Sequence, residues 1–288
     1  MTRITGRRRP NLGPRPCSMQ AAVAILITEV SLRPEHPIVL ITGASSGFGE
    51  ATARLLASRG CHLALGARRV ERVEHLAKEL SEVHGIPVFA GFVDTRSTES
   101  VNGFVNASAE ALGGLHVVVA NAGLSRGLDR LDSVLEEDWE AMLHTNVEGV
   151  IRTVKASLPH LRKSAWGHVF FLGSTAGHTA YEGGAVYCAS KSAVRAIAQT
   201  LRLELCGEPI RVTCVDPGMA ETEFSVVRFR DTDRAASVYK GLEPLRAEDV
   251  AECIRWSLEL PDHVNIDEML VKCRDQASNT MAKVNRKG

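Results

Sequence analysis

The sequence predicts a single doubly wound α/β domain, in which helices cover both faces of a parallel sheet of about seven strands. Short apolar runs alternate with helical patterns of ten or more residues from residue 37 onward, as parallel strands with crossover helices require. No linker, repeat or low-complexity stretch interrupts this alternation. The 288 residues, 44% of them hydrophobic and 24% charged, are typical of a globular protein with one large core.

The individual elements follow from local patterns. The run Ile-Val-Leu-Ile-Thr at Ile38–Thr42 is stopped by Gly43, as expected of a buried parallel strand. The first helix, at residues 47–59, places Ala51, Leu55 and Leu56 on one face. The other strands are predicted at residues 62–67, 87–92, 115–120, 168–172, 210–215 and 269–272. The other helices are predicted at residues 70–83, 97–112, 136–162, 185–206 and 247–260.

Residues 1–36 differ in composition from the rest of the chain. The stretch 2–16 has five arginines, three prolines and no acid. Because such a segment cannot bury enough apolar surface to offset its ordering entropy, we predict a disordered basic leader at 1–36 and a folded domain at 37–288 that includes a C-terminal tail. Two alternatives stay open: a secretory signal built on the short apolar run 21–27, and a chain that starts at Met19.

Charge and cysteine content limit the partners. Lys and Arg number 34, as do Asp and Glu, so the net charge gives no general reason to bind nucleic acid or anionic membranes. No apolar run approaches the roughly 20 residues of a membrane helix. Seven cysteines without a C-x-x-C pair indicate free thiols in a reducing, cytoplasmic setting. The ten histidines show no metal-binding spacing, so no metal site is predicted.

The first predicted strand ends in a glycine-rich turn, Thr42-Gly-Ala-Ser-Ser-Gly-Phe-Gly49, that leads directly into a helix. Gly43 suits the tight turn, Gly47 lets the backbone approach a pyrophosphate, and Gly49 allows close packing of strand on helix. The helix N-terminus attracts an anion. Such turns also serve as plain connectors, but the position after the first strand favours a dinucleotide site.

Arg68 and Arg69 follow the second predicted strand, where a site for NAD would present an acid to the ribose hydroxyls. The guanidinium fork suits the 2′-phosphate of NADP. The sequence therefore favours NADP, with an exposed arginine pair at a helix start as the alternative.

Tyr187 and Lys191 are four residues apart on one predicted helix, which places both side chains on the same face. An adjacent ammonium lowers the pKa of a phenol, so the tyrosine could exchange a proton with an alcohol or carbonyl oxygen. Ser174 follows a strand end and could donate a hydrogen bond to the same oxygen. Chance pairs of this spacing are frequent, and a tyrosine on an apolar helix is usually part of the core.

Taken together, these motifs resemble the short-chain dehydrogenase/reductase family, in the family's order and over about residues 37–273. The matching residues are the glycine-rich turn, Asn121-Ala-Gly123, Asn146, Ser174, Tyr187 with Lys191, and Pro217-Gly218 with Thr222. Other stretches, including Gly173-Ser-Thr-Ala-Gly177 and Thr222-Glu-Phe-Ser225, are similar to its NADP-dependent 3-hydroxy acid (serine) dehydrogenase branch. One departure is that Met219-Ala-Glu-Thr222 lacks a glycine before the threonine. The resemblance implies a Rossmann-type catalytic domain.

The resemblance also implies residue roles. Tyr187 is the general acid/base, Lys191 lowers its pKa and binds the nicotinamide ribose, and Ser174 holds the reacting oxygen. Asn146 keeps a water that links Lys191 to solvent, and Asp94 binds the adenine amino group. Structural alternatives remain for Asn146 as a helix cap or bridge, for Asp94 as a turn acid and for the Pro-Gly turn. The predicted cofactor-binding residues are Gly43, Ser45, Ser46, Gly47, Phe48, Gly49, Arg68, Arg69, Asp94, Asn121, Ala122, Gly123, Tyr187, Lys191, Pro217, Gly218 and Thr222.

The predicted substrate is a small molecule, a 3-hydroxy acid whose carboxylate binds Arg228 in the loop 219–230. The alternative is that Arg228 and Arg230 are exposed to solvent. Other functions left open are reduction of a different carbonyl (3-oxoacyl, steroid-like or xenobiotic), NADP(H) sensing without turnover, and recruitment through the arginine-rich leader. Relatives imply a homotetramer or homodimer built on the long helices 136–162 and 185–206.

Overall fold

A computed structural model of the chain describes residues 32–282. Within that range seven strands, all parallel, form one sheet in the order β3-β2-β1-β4-β5-β6-β7. The strands are β1 (Ile38–Thr42), β2 (His62–Ala67), β3 (Val88–Phe92), β4 (Val117–Ala120), β5 (Gly167–Leu172), β6 (Ile210–Pro217) and β7 (Glu268–Val271). The predicted doubly wound fold is confirmed. Of the predicted leader, residues 1–31 lie outside the described residues.

Helices link these strands, and five of them lie within two residues of their predicted bounds. The helices of residues 32–282 are α1 (Gly47–Ser58), α2 (Val70–His84), α3 (Thr98–Leu112), α4 (Glu136–Leu143), α5 (Gly149–Leu161), α6 (Ala185–Glu204), α7 (Glu223–Phe229), α8 (Thr232–Ser237) and α9 (Ala247–Glu259). The predicted long helix 136–162 is interrupted by a π-helical turn at His144–Glu148 between α4 and α5. Such turns occur often at functional sites.

Two short helices, α7 and α8, lie in the loop after β6, where the sequence predicted no helix. Their N-termini are closed by side-chain caps, with Thr222 accepting from the N–H of Phe224 and Asp231 from those of Asp233 and Arg234. Each helix is too short to form on its own, so tertiary contacts stabilise it.

The central strands are buried on both faces, which explains their continuous apolar sequences. Val39 and Ile41 of β1 pack into one core cluster and Leu40 packs into the other, on the opposite side of the sheet. This is the two-residue period of a strand. Because β1 pairs with β2 on one side and β4 on the other, a crevice opens at the carboxyl ends of β1 and β4, where ligands bind in doubly wound sheets.

The described residues contain neither a membrane-spanning helix nor a cluster of potential metal ligands, and their cysteines are unpaired. Residues 32–282 contain no helix long and apolar enough to cross a membrane. Over the same range, no group of three or more His, Cys, Asp or Glu side chains is placed to hold a metal ion. The six cysteines described there are free thiols.

Candidate active site

A cavity of about 830 Å³ occupies the crevice at the carboxyl edge of the sheet. All the predicted catalytic, cofactor and substrate residues line it except Gly49 and Asn146, which contact residues that do. It is also lined by residues to which the sequence gave no role, among them Tyr181, Glu223, Tyr239, Gln276 and Asn279. The last two come from the C-terminal tail, for which no sequence pattern gave a signal.

The glycine-rich turn has the backbone that a pyrophosphate cradle needs. Gly43 and Gly47 have φ of +70° and +56°, a region that side chains disfavour. A Cβ at Gly43 would lie 2.9 Å from the Asn121 amide nitrogen, and a Cβ at Gly49 would lie 2.5 Å from the Gly43 carbonyl oxygen. The N-cap Ser46 makes no side-chain capping bond, so the first N–H groups of α1 are free of that partner. These features fit a dinucleotide.

The asparagine after β4 holds the turn in shape. The side-chain amide of Asn121 donates to the carbonyl oxygens of Thr42 at 2.8 Å and Gly43 at 3.2 Å. Asn121 therefore ties the ends of β1 and β4 together, in addition to lining the cavity.

Arg69 lies at the mouth of the cofactor side of the cavity. Its guanidinium donates to the hydroxyls of Ser45 at 3.1 Å and Ser46 at 2.7 Å, and to the carboxylate of Glu223 at 2.8 Å. Arg72 donates to the other oxygen of Glu223 at 2.8 Å. Two guanidinium groups converge on one carboxylate, and two serine hydroxyls lie against Arg69. Guanidinium groups bind phosphate as well as carboxylate, so these residues suit the 2′-phosphate of NADP.

Asp94 lines the same side, but its carboxylate is already engaged. The guanidinium of Arg96 contacts both Asp94 oxygens, the shortest pair being 2.6 Å. The hydrogen bond from Arg96 lowers the pKa of Asp94 below its usual range. Its predicted role toward adenine stays a prediction.

Tyr187 and Ser174 converge at the deep end. Tyr187, near the start of α6, is only 8% exposed, and the Ser174 hydroxyl lies just after β5. Burial raises the pKa of the Tyr187 phenol above its ordinary value, and a side-chain hydrogen bond with Ser174 opposes this rise. The phenol is therefore held protonated at neutral pH in this structure, as a proton donor must be.

Lys191 lies one helical turn beyond Tyr187 and is equally buried. Its ammonium donates to the carbonyl oxygen of Leu172 at 2.8 Å and lies 6.0 Å from the Tyr187 ring centroid. Burial is the largest influence on the pKa of Tyr187, and the influences that oppose it are Ser174 and Arg228. The lowering of the Tyr187 pKa by Lys191 stays a prediction. Burial also lowers the pKa of Lys191 to about 8.

Asn146 sits in the π-helical turn, fully buried behind the cavity wall. Its amide accepts from the N–H of Leu124 and donates to the carbonyl oxygen of the same residue, both at 2.8 Å, and also donates to Ser190 at 3.1 Å. Ser190 in turn donates to the Tyr187 carbonyl oxygen at 2.8 Å. The bridging role left open by the sequence is therefore present; the water relay stays a prediction.

Arg228 projects from α7 toward Tyr187. Its guanidinium donates to the Tyr181 hydroxyl at 2.9 Å and to the Gly127 carbonyl oxygen at 3.0 Å, and its carbon Cζ lies 5.8 Å from the Tyr187 ring centroid. The solvent-exposed alternative is wrong for Arg228, which lines the cavity. Arg230 is more exposed and pairs with Asp138 at 2.7 Å.

The fold, the glycine cradle and the Ser-Tyr-Lys arrangement define one class of protein. The sequence profile of the short chain dehydrogenase family matches residues 37–233, and the chain belongs to that family. Among its relatives is sulfoacetaldehyde reductase 2 of Chromohalobacter salexigens, 42% identical over 85% of this chain and 97% of the relative. The NADP-dependent 3-hydroxy acid dehydrogenase of Schizosaccharomyces pombe is 40% identical over 83% of this chain and 93% of that protein.

A solved structure agrees. The closed form of a serine dehydrogenase complexed with NADP+ superimposes with a TM-score of 0.80 and 36% identity, covering 87% of this chain and all of that one. The predicted family is therefore confirmed, and with it an oxidoreductase of alcohols and carbonyls.

Proposed function

We propose that this family member is an NADP-dependent oxidoreductase that interconverts a short 3-hydroxy acid and its carbonyl partner. The observation that carries the proposal is the placement of Arg228 beside Tyr187 in one cavity. A guanidinium beside Tyr187 can bind the carboxylate of an acid whose reacting oxygen lies at the phenol. Relatives named as 3-hydroxy acid dehydrogenases support the same reading.

The preference for NADP rests on charge at the far end of the cavity. Arg68 and Arg69 follow β2 and line the cavity where the adenosine ribose would lie, and Arg72 reaches the same Glu223 carboxylate as Arg69. An acid that would bind the ribose hydroxyls of NAD is missing directly after this strand, where Arg68 and Arg69 stand. Relatives named as NADP-dependent point the same way.

The reaction uses groups already described. When bound, NADPH supplies the hydride that reaches the carbonyl carbon. Tyr187 donates its phenolic proton to the carbonyl oxygen, and the Ser174 hydroxyl hydrogen-bonds that oxygen as negative charge develops. Lys191, positive below a pH of about 8, stabilises the phenolate that remains. In the oxidative direction the same groups act in reverse.

Arg228 restricts the length of the substrate. With its Cζ 5.8 Å from the Tyr187 ring, only a short chain can join an anionic end at Arg228 to an oxygen at the phenol. A sulfonate fits the same guanidinium, so reduction of sulfoacetaldehyde is a second candidate, favoured by the relative of that name. Sensing without turnover is disfavoured because Ser174, Tyr187 and Lys191 all line the cavity.

We also propose a cytoplasmic homodimer or homotetramer. The free thiols of the described cysteines suit a reducing compartment. Ile151 on α5 is 44% exposed and Leu203 on α6 is 77% exposed, so the long helices offer apolar contacts for a second copy. Light scattering after size-exclusion chromatography measures the oligomeric state.

A substrate panel tests the function. Serine, 3-hydroxypropionate, sulfoacetaldehyde and a neutral secondary alcohol are assayed with NADP(H) and NAD(H) separately, by absorbance of the reduced cofactor. We expect turnover of the 3-hydroxy acids with NADP(H) to exceed that of the neutral alcohol by at least about tenfold. Faster turnover of the neutral alcohol contradicts the acid specificity, and equal efficiency with NAD(H) contradicts the cofactor assignment.

A further inference from the structure

Behind the catalytic serine lies a carboxylate that the reaction described above does not use. Asp216, near the end of β6, is completely buried and lies outside the cavity lining. Its oxygen Oδ1 accepts the backbone N–H of Ser174 at 2.9 Å. Gly173 leaves room for it, because a Cβ at that position would overlap Oδ1. The fold therefore brings a buried acid against the backbone that positions the reacting hydroxyl.

The second oxygen of Asp216, Oδ2, lies next to the ring of His178. His178 Nε2 lies 3.2 Å from Oδ2, and neither atom has a well-aligned hydrogen-bond partner among the described residues. The histidine side chain is 19% exposed whereas Asp216 is at 0%. A buried carboxylate is costly unless it is paired and hydrogen-bonded, and here the backbone of Ser174, the thiol of Cys214 and the ring of His178 supply those partners.

Asp216 also acts on Lys191 through space. Burial lowers the pKa of Lys191, and Cys214 and then the negative charge of Asp216 oppose that lowering. The ammonium itself is hydrogen-bonded to Leu172, the last residue of β5, one position before Gly173. The charged and titratable groups that face Asp216 are His178 after β5, Cys214 on β6, Lys191 and Arg195 on α6, and Glu268 on β7, which pairs with Arg195.

We propose that Asp216 is a positioning residue of the active site, which fixes the backbone of Ser174 and supplies a buried negative charge behind the strand end that Lys191 contacts through Leu172. His178 contacts the outer oxygen. The proposal deepens the proposed function and rests on it, since Lys191 must be charged to support the Tyr187 phenolate. Loss of the Asp216 charge should therefore lower the pH above which turnover declines, and should not only reduce the rate of turnover.

The variant Asp216→Asn removes the charge at constant shape and leaves an oxygen to accept from Ser174. Turnover and NADPH affinity, the latter from cofactor fluorescence, are measured from pH 6 to pH 10. In the wild type both should decline above a pH of about 8, as Lys191 loses its proton. In Asp216→Asn the decline should begin at a lower pH, because the negative charge that raises the pKa of Lys191 is lost. The matched control Asp267→Asn removes an exposed acid of the same type, 72% exposed, and should leave the profile unchanged.

The pH profiles of the Asp216 variants distinguish a positioning role from a merely structural one. Equal loss of turnover at every pH, with the decline at the wild-type position, contradicts the proposal and assigns Asp216 a merely structural role. Asp216→Ser, which removes the charge without adding an amide donor, is made in parallel in case the asparagine variant does not fold. If both variants lose cooperative unfolding, Asp216 serves the fold and the proposal is wrong. A wild-type chain without NADP-dependent turnover contradicts the proposed function instead.

Discussion

The guanidinium of Arg69 and the carboxylate of Glu223 meet at 2.8 Å, across the entrance to the cofactor side of the cavity. Arg69 follows β2, whereas Glu223 is the first residue of α7, so the contact joins the cofactor site to the loop that carries Arg228. Arg72 holds the other carboxylate oxygen. Glu223 thus binds the guanidinium groups that a 2′-phosphate would bind.

Replacement of Glu223 by glutamine should strengthen the binding of NADP. The bound phosphate and Glu223 compete for Arg69, and the two negative charges repel each other. Because the pair is exposed, we expect a modest decrease of about two- to fivefold in the Kd for NADP, measured by calorimetry, and little change for NAD. Glu221→Gln, two residues upstream, is the control. Weaker binding of NADP to Glu223→Gln would show that the acid supports the cofactor site.

Tyr187→Phe should reduce turnover by about 100-fold or more while the Kd for NADP changes less than about twofold, since the phenol transfers the proton. Lys191→Ala should reduce both turnover and affinity. Tyr239→Phe is the comparison, because Tyr239 lines the same cavity but its hydroxyl bonds Ser225 and the Ala220 carbonyl oxygen. It should keep most of the wild-type turnover. Retention of more than about a tenth of the wild-type rate by Tyr187→Phe would contradict its assignment as the acid.

Arg228→Ala should raise the KM for a 3-hydroxy acid by about tenfold or more and change that for a neutral secondary alcohol by less than about threefold. Only the acid loses a charge-assisted bond. Arg230→Ala, in the same loop but paired with Asp138, should leave both values near wild type. Equal effects of Arg228→Ala on both substrates would mean that the acid is held elsewhere.

The stability of the fold should fall as the solution is acidified below pH 6.5. His168 is fully buried, and burial, with a smaller contribution from Arg211, lowers its pKa well below 6.5. The unfolded chain takes up a proton at this histidine as pH falls through about 6.5, whereas the folded protein takes it up only at lower pH, so the free energy of unfolding drops between pH 7 and 5. Urea unfolding at both pH values measures the drop.

His168→Gln should be less stable at pH 7, since the ring contacts Thr213 at 2.8 Å, but should show a shallower pH dependence. The exposed His75→Gln is the control and should keep the wild-type slope. An unchanged slope in His168→Gln would assign the acid sensitivity to other groups, of which His62, His116 and His160 also have lowered pKa values.

A chain that starts at Pro34 should retain wild-type activity and unfold within about two degrees of the full-length protein. Among the described contacts, this truncation removes the exposed hydrogen bond from the Leu32 N–H to Asp262 at 2.7 Å. A loss of several degrees would show that the proposed leader contributes to the folded domain.

Much of the fold could be predicted because the signals are local. The strand β1 and the turn after it are encoded by an apolar run followed by glycines, and both lie at the predicted residues. The helices α7 and α8 could not be predicted, since residues 223–237 hold too short a pattern and their stability comes from distant partners such as Arg69 and Tyr239.

The sequence by itself determined the family, the parallel sheet and the identity of Ser174, Tyr187 and Lys191, because these depend on residue type, order and spacing along the chain. Only the tertiary structure decided how those groups titrate and what engages them. Burial raises the pKa of Tyr187 and lowers that of Lys191, and Asp94, Arg69 and Ser174 are bonded to Arg96, Glu223 and Asp216, respectively. The reason is physical: pKa values and ion pairs depend on distance and on exclusion of water, which exist only once the chain has folded.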